Sequence, residues 1–195
     1  MASDGKTRCW GDKDPLARAY HDEEWGVPVH DDQVLYEFIL LEGVQAGLSW
    51  STVLKRRENY RVAFDGFDPV KIAEYTQAKI DELVQDASII RNRRKIMSHV
   101  NNAEAFLRVQ DQYGSFDEYL WAYVDHKPIV NEFATWKEMQ AETDLSKRIS
   151  KDLKRRGFSF VGPTIMYAYM QSVGMVNDHL THCFRWREIK EQYGG

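Results

Sequence analysis

Apolar residues recur at helical spacing through most of this chain, and no segment of strand length alternates apolar with polar residues. Leu35, Phe38 and Ile39 share a face with Glu42 on the next turn, and Ile149 and Leu153 follow Ser146 in the same way. This three-to-four-residue period places side chains on one side of a helix, so the chain is expected to be all-α. Punctuation bounds the elements. Asp68 stands before Pro69 as an N-cap before a first-turn proline, Ser49 can cap the segment from Trp50 to Phe64, and Gly157 after Lys154, Arg155 and Arg156 is a helix stop. Helices are expected near 31–45, 49–64, 69–75, 77–86, 92–113, 116–124, 145–156 and 163–174. No repeat, low-complexity tract or linker interrupts them.

A chain of 195 residues can bury a core without disulfide support. No apolar run approaches the ~20 residues of a membrane span, and the first eight residues lack the apolar stretch of a signal peptide, so a cytoplasmic location is expected. The net charge of −4 does not advertise a nucleic-acid partner. Its distribution is uneven, however. Cations cluster at Lys55, Arg56 and Arg57, at Arg91, Arg93, Arg94 and Lys95, and at Lys147, Arg148, Lys151, Lys154, Arg155 and Arg156. Each cluster taken alone reads as a solvated helix face.

The two cysteines, Cys9 and Cys183, lie near opposite ends. His179 precedes Cys183 by four residues, a spacing that on a helix puts both side chains on one face, and Cys9 with His21 supplies a second pair. Two thiolates and two imidazoles make a tetrahedral Zn²⁺ set, and four protein ligands leave no position for an activated water, so such an ion would be structural. It would join the N-terminal segment to the C-terminal one. The Cys9–His21 spacing matches no common zinc finger, so buried thiols with unrelated surface histidines stand as an equal reading of these residues alone. His182 is an alternative to His179, although neighbouring side chains on a helix diverge by ~100°. His30, His99 and His126 have no context that assigns them a role.

Three segments together resemble a known family. They are Cys9-Trp10 with Asp14-Pro15-Leu16 and Tyr20-His21-Asp22-Glu23-Glu24-Trp25-Gly26-Val27-Pro28; Leu41-Glu42-Gly43-Val44-Gln45-Ala46-Gly47-Leu48-Ser49-Trp50; and Arg156-Gly157-Phe158-Ser159-Phe160-Val161-Gly162-Pro163-Thr164 with Val176-Asn177-Asp178-His179. The chain is similar in these to the type I bacterial 3-methyladenine DNA glycosylases, from Cys9 to Cys183. The resemblance implies a helix-hairpin-helix glycosylase fold, a single unit over 1–195 with two helical lobes and a base pocket between them, and a structural zinc held by Cys9, His21, His179 and Cys183 in a lobe built from both chain ends. It also implies excision of 3-methyladenine from alkylated double-stranded DNA, leaving an abasic site, with no protein partner or membrane involved. The base pocket would comprise Glu42, Tyr20 and Trp50, with Trp10 and Trp25 nearby. Ala17, one turn before Tyr20, departs from the tyrosine some members carry, and the charged tail after Cys183 matches nothing in the family.

The chemistry suits those residues. A damaged base must leave the stack before it can be removed, and N3-methylation makes the nucleoside cationic, so an indole such as Trp50 gains cation–π attraction as well as stacking. Glu42 would favour the cation over neutral adenine, and Tyr20 would add a hydrogen bond. Because the leaving base is neutral, little acid catalysis is required, and Glu42 could serve recognition, catalysis by charge stabilisation, or both. Asp178 reads as a support for the neighbouring ligand His179 or a cap, with a catalytic role as the alternative. For DNA, the segment from Gly157 to Thr164 fits a hairpin whose backbone N–H groups approach a phosphate at Gly162 and Thr164, although Phe160 stands where such hairpins carry a first glycine. Lys154, Arg155 and Arg156 would add phosphate contacts, and Leu48 could fill the gap left by the extruded nucleotide. Two rival functions are a zinc-stapled DNA-binding module without activity and a metallohydrolase, which the closed ligand set disfavours.

Overall fold

The computed structural model describes residues 5–194. Eleven α-helices make up the described chain: α1 (Pro15–Glu23), α2 (Asp32–Gln45), α3 (Trp50–Leu54), α4 (Arg57–Ala63), α5 (Pro69–Ala73), α6 (Gln77–Gln85), α7 (Arg93–Tyr113), α8 (Phe116–Trp121), α9 (Asp144–Arg155), α10 (Pro163–Ser172) and α11 (Phe184–Tyr193). The expected helical class holds, and none of these helices is long and apolar enough to cross a membrane.

The caps act as their residue types dictate. Asp68 accepts from Val70 N–H ahead of Pro69, and Ser49 accepts from Thr52 N–H at the start of α3. Two helices escaped the sequence reading. α1 opens with the same Asp-Pro signature, Asp14 accepting from Leu16 N–H, while α11 is charged and begins at Cys183, which offers it no side-chain cap. The single helix expected over 49–64 is instead two, because the backbone leaves the helical region at Arg56 (φ −111°, ψ 0°), whose guanidinium bonds the carbonyls of Ala87 and Ser88.

α2 organises the core. Every residue from Leu35 to Val44 is buried, so this helix is enclosed on all sides as a central element, with apolar neighbours except where Glu37 meets Arg57 and Arg61. α3, α7, α8 and α10 pack around it. A carboxylate on such a helix has no solvent face to reach, and Glu42 is therefore only 3% exposed.

One correction concerns extended structure. Two short strands, β1 (Ile129–Val130) and β2 (Val176–Asn177), pair in parallel with Ile129 opposite Val176 and Val130 opposite Asn177. At two residues each they are too short to show an alternation, yet they bring the 131–143 segment against the C-terminal one. A second backbone pairing joins Gly26 and Val29 N–H to the carbonyls of Gln171 and Val173, at the end of α10. Gly174 makes this approach possible: its φ is +70°, and a Cβ there would lie 2.2 Å from the Val27 carbonyl carbon.

Candidate active site and metal clasp

Both candidate sites grow from α1, where Tyr20 and His21 are consecutive and both buried, pointing to different sides of the helix. His21 joins the ligand cluster. Its Nε2 lies 3.4 Å from both Cys9 Sγ and Cys183 Sγ, and His179 Nδ1 lies 3.6 Å and 3.5 Å from the same sulfurs. All four candidate ligand atoms fall within 4.8 Å of one another. A tetrahedron with Zn–S of ~2.3 Å and Zn–N of ~2.05 Å has S···N edges of about 3.55 Å. The donor set therefore fits such an ion in spacing as well as in type.

The remaining imidazole nitrogens are committed outward. His21 Nδ1 donates to Asp22 Oδ1 at 2.7 Å, and His179 Nε2 donates to the Trp25 carbonyl at 2.9 Å. This leaves Nε2 of one ring and Nδ1 of the other to face the cluster, the tautomers a metal requires. Arg8 bonds both oxygens of Asp22 at 2.8 and 2.9 Å through Nε, and again at 2.6 Å through Nη2. Burial opposes charge on Asp22, but the bonds from Arg8 and His21 hold its carboxyl below the usual value. Between the two thiols, the hydrogen bond to Cys183 and burial push Cys9 far upward, so one proton is retained unless a cation lets both ionise. A Cβ at Gly26 would sit 3.2 Å from the His179 ring, so that position must stay small.

The helical-turn reading of the His179–Cys183 spacing is corrected here. The two residues lie on an irregular turn, Cys183 being the N-cap of α11, and Cys183 N–H bonds the Leu180 carbonyl at 2.7 Å. A tight turn brings the side chains together as a helix would. His182 is exposed, while His179 is fully buried, which settles the choice between them.

Tyr20 belongs to the other site, a cavity of about 270 Å³ whose walls include Trp10, Tyr20, Trp25, Glu42 and Trp50. This volume falls at the lower end of small-molecule sites, roughly 300–1,000 Å³. All five residues expected in the base pocket meet there. The aromatic rings form a continuous wall: Trp10 and Trp25 are 5.3 Å apart edge to face, and Tyr20 and Trp50 are 5.3 Å apart and tilted. Also on the lining, and missed by the sequence reading, are Trp136, Met139, Gln171 and Ser172. Gln45 lines it too, and its place in the same short segment as Glu42 was the available signal.

The polar atoms of this cavity are unusual. Among the described residues, Glu42 Oε2, Tyr20 Oη and Trp50 Nε1 are buried without a hydrogen-bond partner. Buried polar atoms are nearly always paired, because leaving one unpaired costs ~1–3 kcal/mol. Three in one apolar cavity describe an acceptor, a hydroxyl and a donor arranged for a ligand. Glu42 Oε1 accepts from Ser172 Oγ at 2.5 Å, which fixes the carboxyl and leaves Oε2 free. Burial raises the Glu42 carboxyl to about 7 in spite of that bond. Burial first, and the nearby carboxylate of Glu42 second, push Tyr20 well upward, so it stays a neutral phenol.

Asp178 is closed to substrate. It is fully buried and accepts from Asn131 Nδ2 at 2.6 Å, Tyr167 Oη at 2.6 Å and Gln171 Nε2 at 2.8 Å. It ties the 131–143 segment to α10 beside His179, and its oxygens have no share in the cavity.

The turn between α9 and α10 carries the remaining candidates. Gly157 has φ +99° and Phe160 has φ +56°, so a phenylalanine takes the left-handed conformation usual for glycine, at a cost of roughly 1–2 kcal/mol. Gly162 is the N-cap of α10 and, lacking a side chain, leaves the first N–H groups open, including that of Thr164. Lys154 and Arg155 line an exposed groove with Lys147 and Lys151. Arg155 also bonds Asp152, at 2.5 Å, and Arg156 has more partners still: it bonds Asp152 and Gln112 at 2.7 Å and Tyr113 Oη at 2.5 Å, and lies over the Tyr113 and Tyr119 rings. Partly buried at the surface, its guanidinium is held by partners within the protein. Leu48 stands 36% exposed on the turn between α2 and α3.

The fold is shared with known proteins. A family model described as methyladenine glycosylase matches residues 10–186, and the chain belongs to that family. It is 51% identical over 177 residues to DNA-3-methyladenine glycosylase 1 of Escherichia coli K12, covering 90% of this chain and 95% of that one. A crystal structure of a 3-methyladenine DNA glycosylase I superposes with a TM-score of 0.88 at 48% identity, covering 91% of this chain and 98% of the other. The Staphylococcus aureus enzyme, solved to explain 3-methyladenine recognition, superposes at 0.87 with 38% identity, over 89% of this chain and 93% of that one.

Proposed function

We propose that this protein hydrolyses the N-glycosidic bond of 3-methyladenine in alkylated double-stranded DNA, taking the extruded base into the aromatic cavity and leaving an abasic site. The observation that carries this reading is the set of three unpartnered buried atoms, Glu42 Oε2, Tyr20 Oη and Trp50 Nε1, within walls of indole and phenol. Family membership and the named relatives support it.

Glu42 is the residue we assign to discrimination. A carboxyl raised to about 7 is half protonated near neutrality in the empty pocket, and a cationic base favours its ionised form. Neutral adenine returns no such gain for desolvating the carboxylate, and Trp50 adds stacking on the cation. In hydrolysis, water oxygen bonds the sugar C1′, the base departs with the electron pair of the broken C–N bond and is neutral, and the water gives up a proton. From the cavity wall, the ionised Glu42 would stabilise the positive charge that passes to the sugar.

The remaining assignments are ours also. Cys9, His21, His179 and Cys183 would hold one Zn²⁺, which supplies cross-linking of the chain ends and, with its coordination closed by four protein ligands, no activated water. Its lobe and the α2–α8 lobe would flank the cavity. The α9–α10 turn reads as a helix-hairpin-helix, with Phe160 in the glycine conformation and open N–H groups at Gly162 and Thr164 facing a phosphate. Lys154 and Arg155 add charge, Arg156 braces the hairpin from inside, and Leu48 is placed to occupy the gap left by the base.

Incubating methylated duplex DNA with excess protein and identifying the freed base tests the function. Release of 3-methyladenine in a single turnover is the expected outcome; binding of the duplex without release would leave a DNA-binding module instead.

A further inference from the structure

One face of α7 carries buried polar side chains that serve neither the cavity nor the clasp. Lys95, 6% exposed, donates from Nζ to the carbonyls of Val44 and Ala46, each at 2.7 Å. These carbonyls close the C-terminal end of α2, directly before the turn that bears Leu48. Two turns along, Asn102, 2% exposed, makes a reciprocal pair with the hairpin: its Nδ2 donates to the Ser159 carbonyl at 3.0 Å, and its Oδ1 accepts from Ser159 N–H at 2.8 Å. The Ser159 carbonyl belongs to the peptide that leads into left-handed Phe160. His99 lies between them along α7, and its ring and Phe160 both approach the position a Cβ would take on Gly43 of α2, at 3.8 and 3.5 Å.

We propose that α7 is a spacer that sets the separation between the 46–49 turn and the 157–162 hairpin, with Lys95 and Asn102 as positioning residues for DNA binding. The proposal rests on reading those two segments as the DNA-contacting elements. Extrusion of a base requires that the duplex be gripped at a phosphate while a side chain enters the gap. Both contacts form together only if their separation is fixed in advance, since a flexible pair would lose that ordering free energy on every encounter. A single helix bonded near its start through Lys95 and at mid-length through Asn102 to the backbone of the two segments supplies that fixity. Seven residues of helix place the two attachment points about 10 Å apart along a rigid axis. Each attachment uses backbone atoms of its target, so it sets the path of the chain independently of the target's side chains.

The test measures binding to a duplex containing a tetrahydrofuran abasic-site analogue, which requires no chemistry, alongside binding of free 3-methyladenine. Lys95→Met and Asn102→Ala should each weaken duplex binding about tenfold, in line with the loss of one or two buried hydrogen bonds. Free-base affinity should stay within about twofold, and KM for methylated DNA should rise more than kcat falls. The double variant should lose little more than the worse single one, because either break already frees the spacing. Ser98→Ala, whose hydroxyl bonds only the Lys95 carbonyl within α7, is the control and should leave duplex binding unchanged. Equal losses of base and duplex affinity, unchanged duplex affinity, losses that multiply in the double variant, or the same effect from Ser98→Ala would each overturn the proposal. If Asn102→Ala fails to fold, Asn102→Asp, which keeps the bond from Ser159 N–H and loses the other, carries the same expectation. Absence of base release by the unaltered protein would sink the glycosylase reading while leaving the abasic-duplex measurement valid.

Discussion

The clasp and the cavity are neighbours built from shared residues, yet they satisfy their polar atoms in opposite ways. In the clasp, each histidine nitrogen turned away from the cluster has a partner, Asp22 or the Trp25 carbonyl, and Asp22 is itself held by Arg8. In the cavity, Glu42, Tyr20 and Trp50 each leave one buried atom unpaired. The first is a closed set of donors whose spacing suits a tetrahedral ion. The second keeps polar groups desolvated and open, a costly state that a ligand would relieve. Contact between the two explains how one supports the other. Tyr20 adjoins His21 in sequence, and the Trp25 ring packs edge-on to His179 at 4.5 Å while its other side walls the cavity.

Breaking the clasp should give the largest effect. Cys183→Ser is expected to abolish stoichiometric zinc and cost about 4 kcal/mol, because the ion joins the two ends of the chain. At ~2–4 °C per kcal/mol for a protein of this size, Tm falls by roughly 10 °C. Metal analysis with calorimetry measures both. Base affinity should fall as well, since Trp25 and Tyr20 lose their support. A fall in Tm with base affinity intact would show that the two sites are merely adjacent, and full zinc occupancy would show that another ligand had replaced the thiolate.

Glu42→Gln separates the sites from the other direction, lowering function while raising stability. Excision should slow about 100-fold if the carboxylate stabilises the charge that develops. The folded carboxyl is raised from 4.5 to about 7, so its stabilising share is complete below pH 4.5 and is lost as pH climbs through 7, where a buried charge must form. The glutamine variant escapes that loss. It should exceed the unaltered protein in stability at pH 8 by up to ~3 kcal/mol, the full shift at 1.36 kcal/mol per unit, and by almost nothing at pH 4. For the unaltered protein, kcat/KM for excision, which reports the empty pocket, should climb through about pH 7 as Glu42 ionises, and the variant should show no such limb. A pH profile identical in the two proteins would remove Glu42 from the reaction.

What was legible beforehand follows the same division. The Cys9, His21, His179 and Cys183 cluster is readable because thiols and imidazoles are rare, chemically specific groups, and their combination suggests proximity even across 170 positions. The all-α class and the capped helix starts at Ser49 and Asp68 come from local periodicity and local hydrogen bonds. Trp136, Met139 and Ser172 carried no comparable signal, because their place in the cavity depends on a strand pair two residues long and on the docking of α10. The His179–Cys183 pair shows how two side chains can be brought together by a local structure other than the one expected: a turn satisfies the same four-residue spacing as a helix. Arg156 shows the converse. Its charge looks available in the sequence, but a carboxylate, an amide and two phenol rings take it up.

The smallest effect sharpens the comparison most. Tyr20→Phe deletes one unpaired hydroxyl from the cavity and touches nothing in the clasp. A buried unpaired hydroxyl burdens the empty protein, so the variant should be more stable by about 1 kcal/mol, a shift of ~2–4 °C in Tm. The same deletion should weaken binding of 3-methyladenine roughly three- to tenfold, the worth of one hydrogen bond, with zinc content unchanged. Opposite signs for stability and affinity from a single oxygen atom are what a site held open for its ligand requires. If Tyr20→Phe instead lowered Tm, the hydroxyl would have a partner within the protein, and the cavity would be as complete as the clasp beside it.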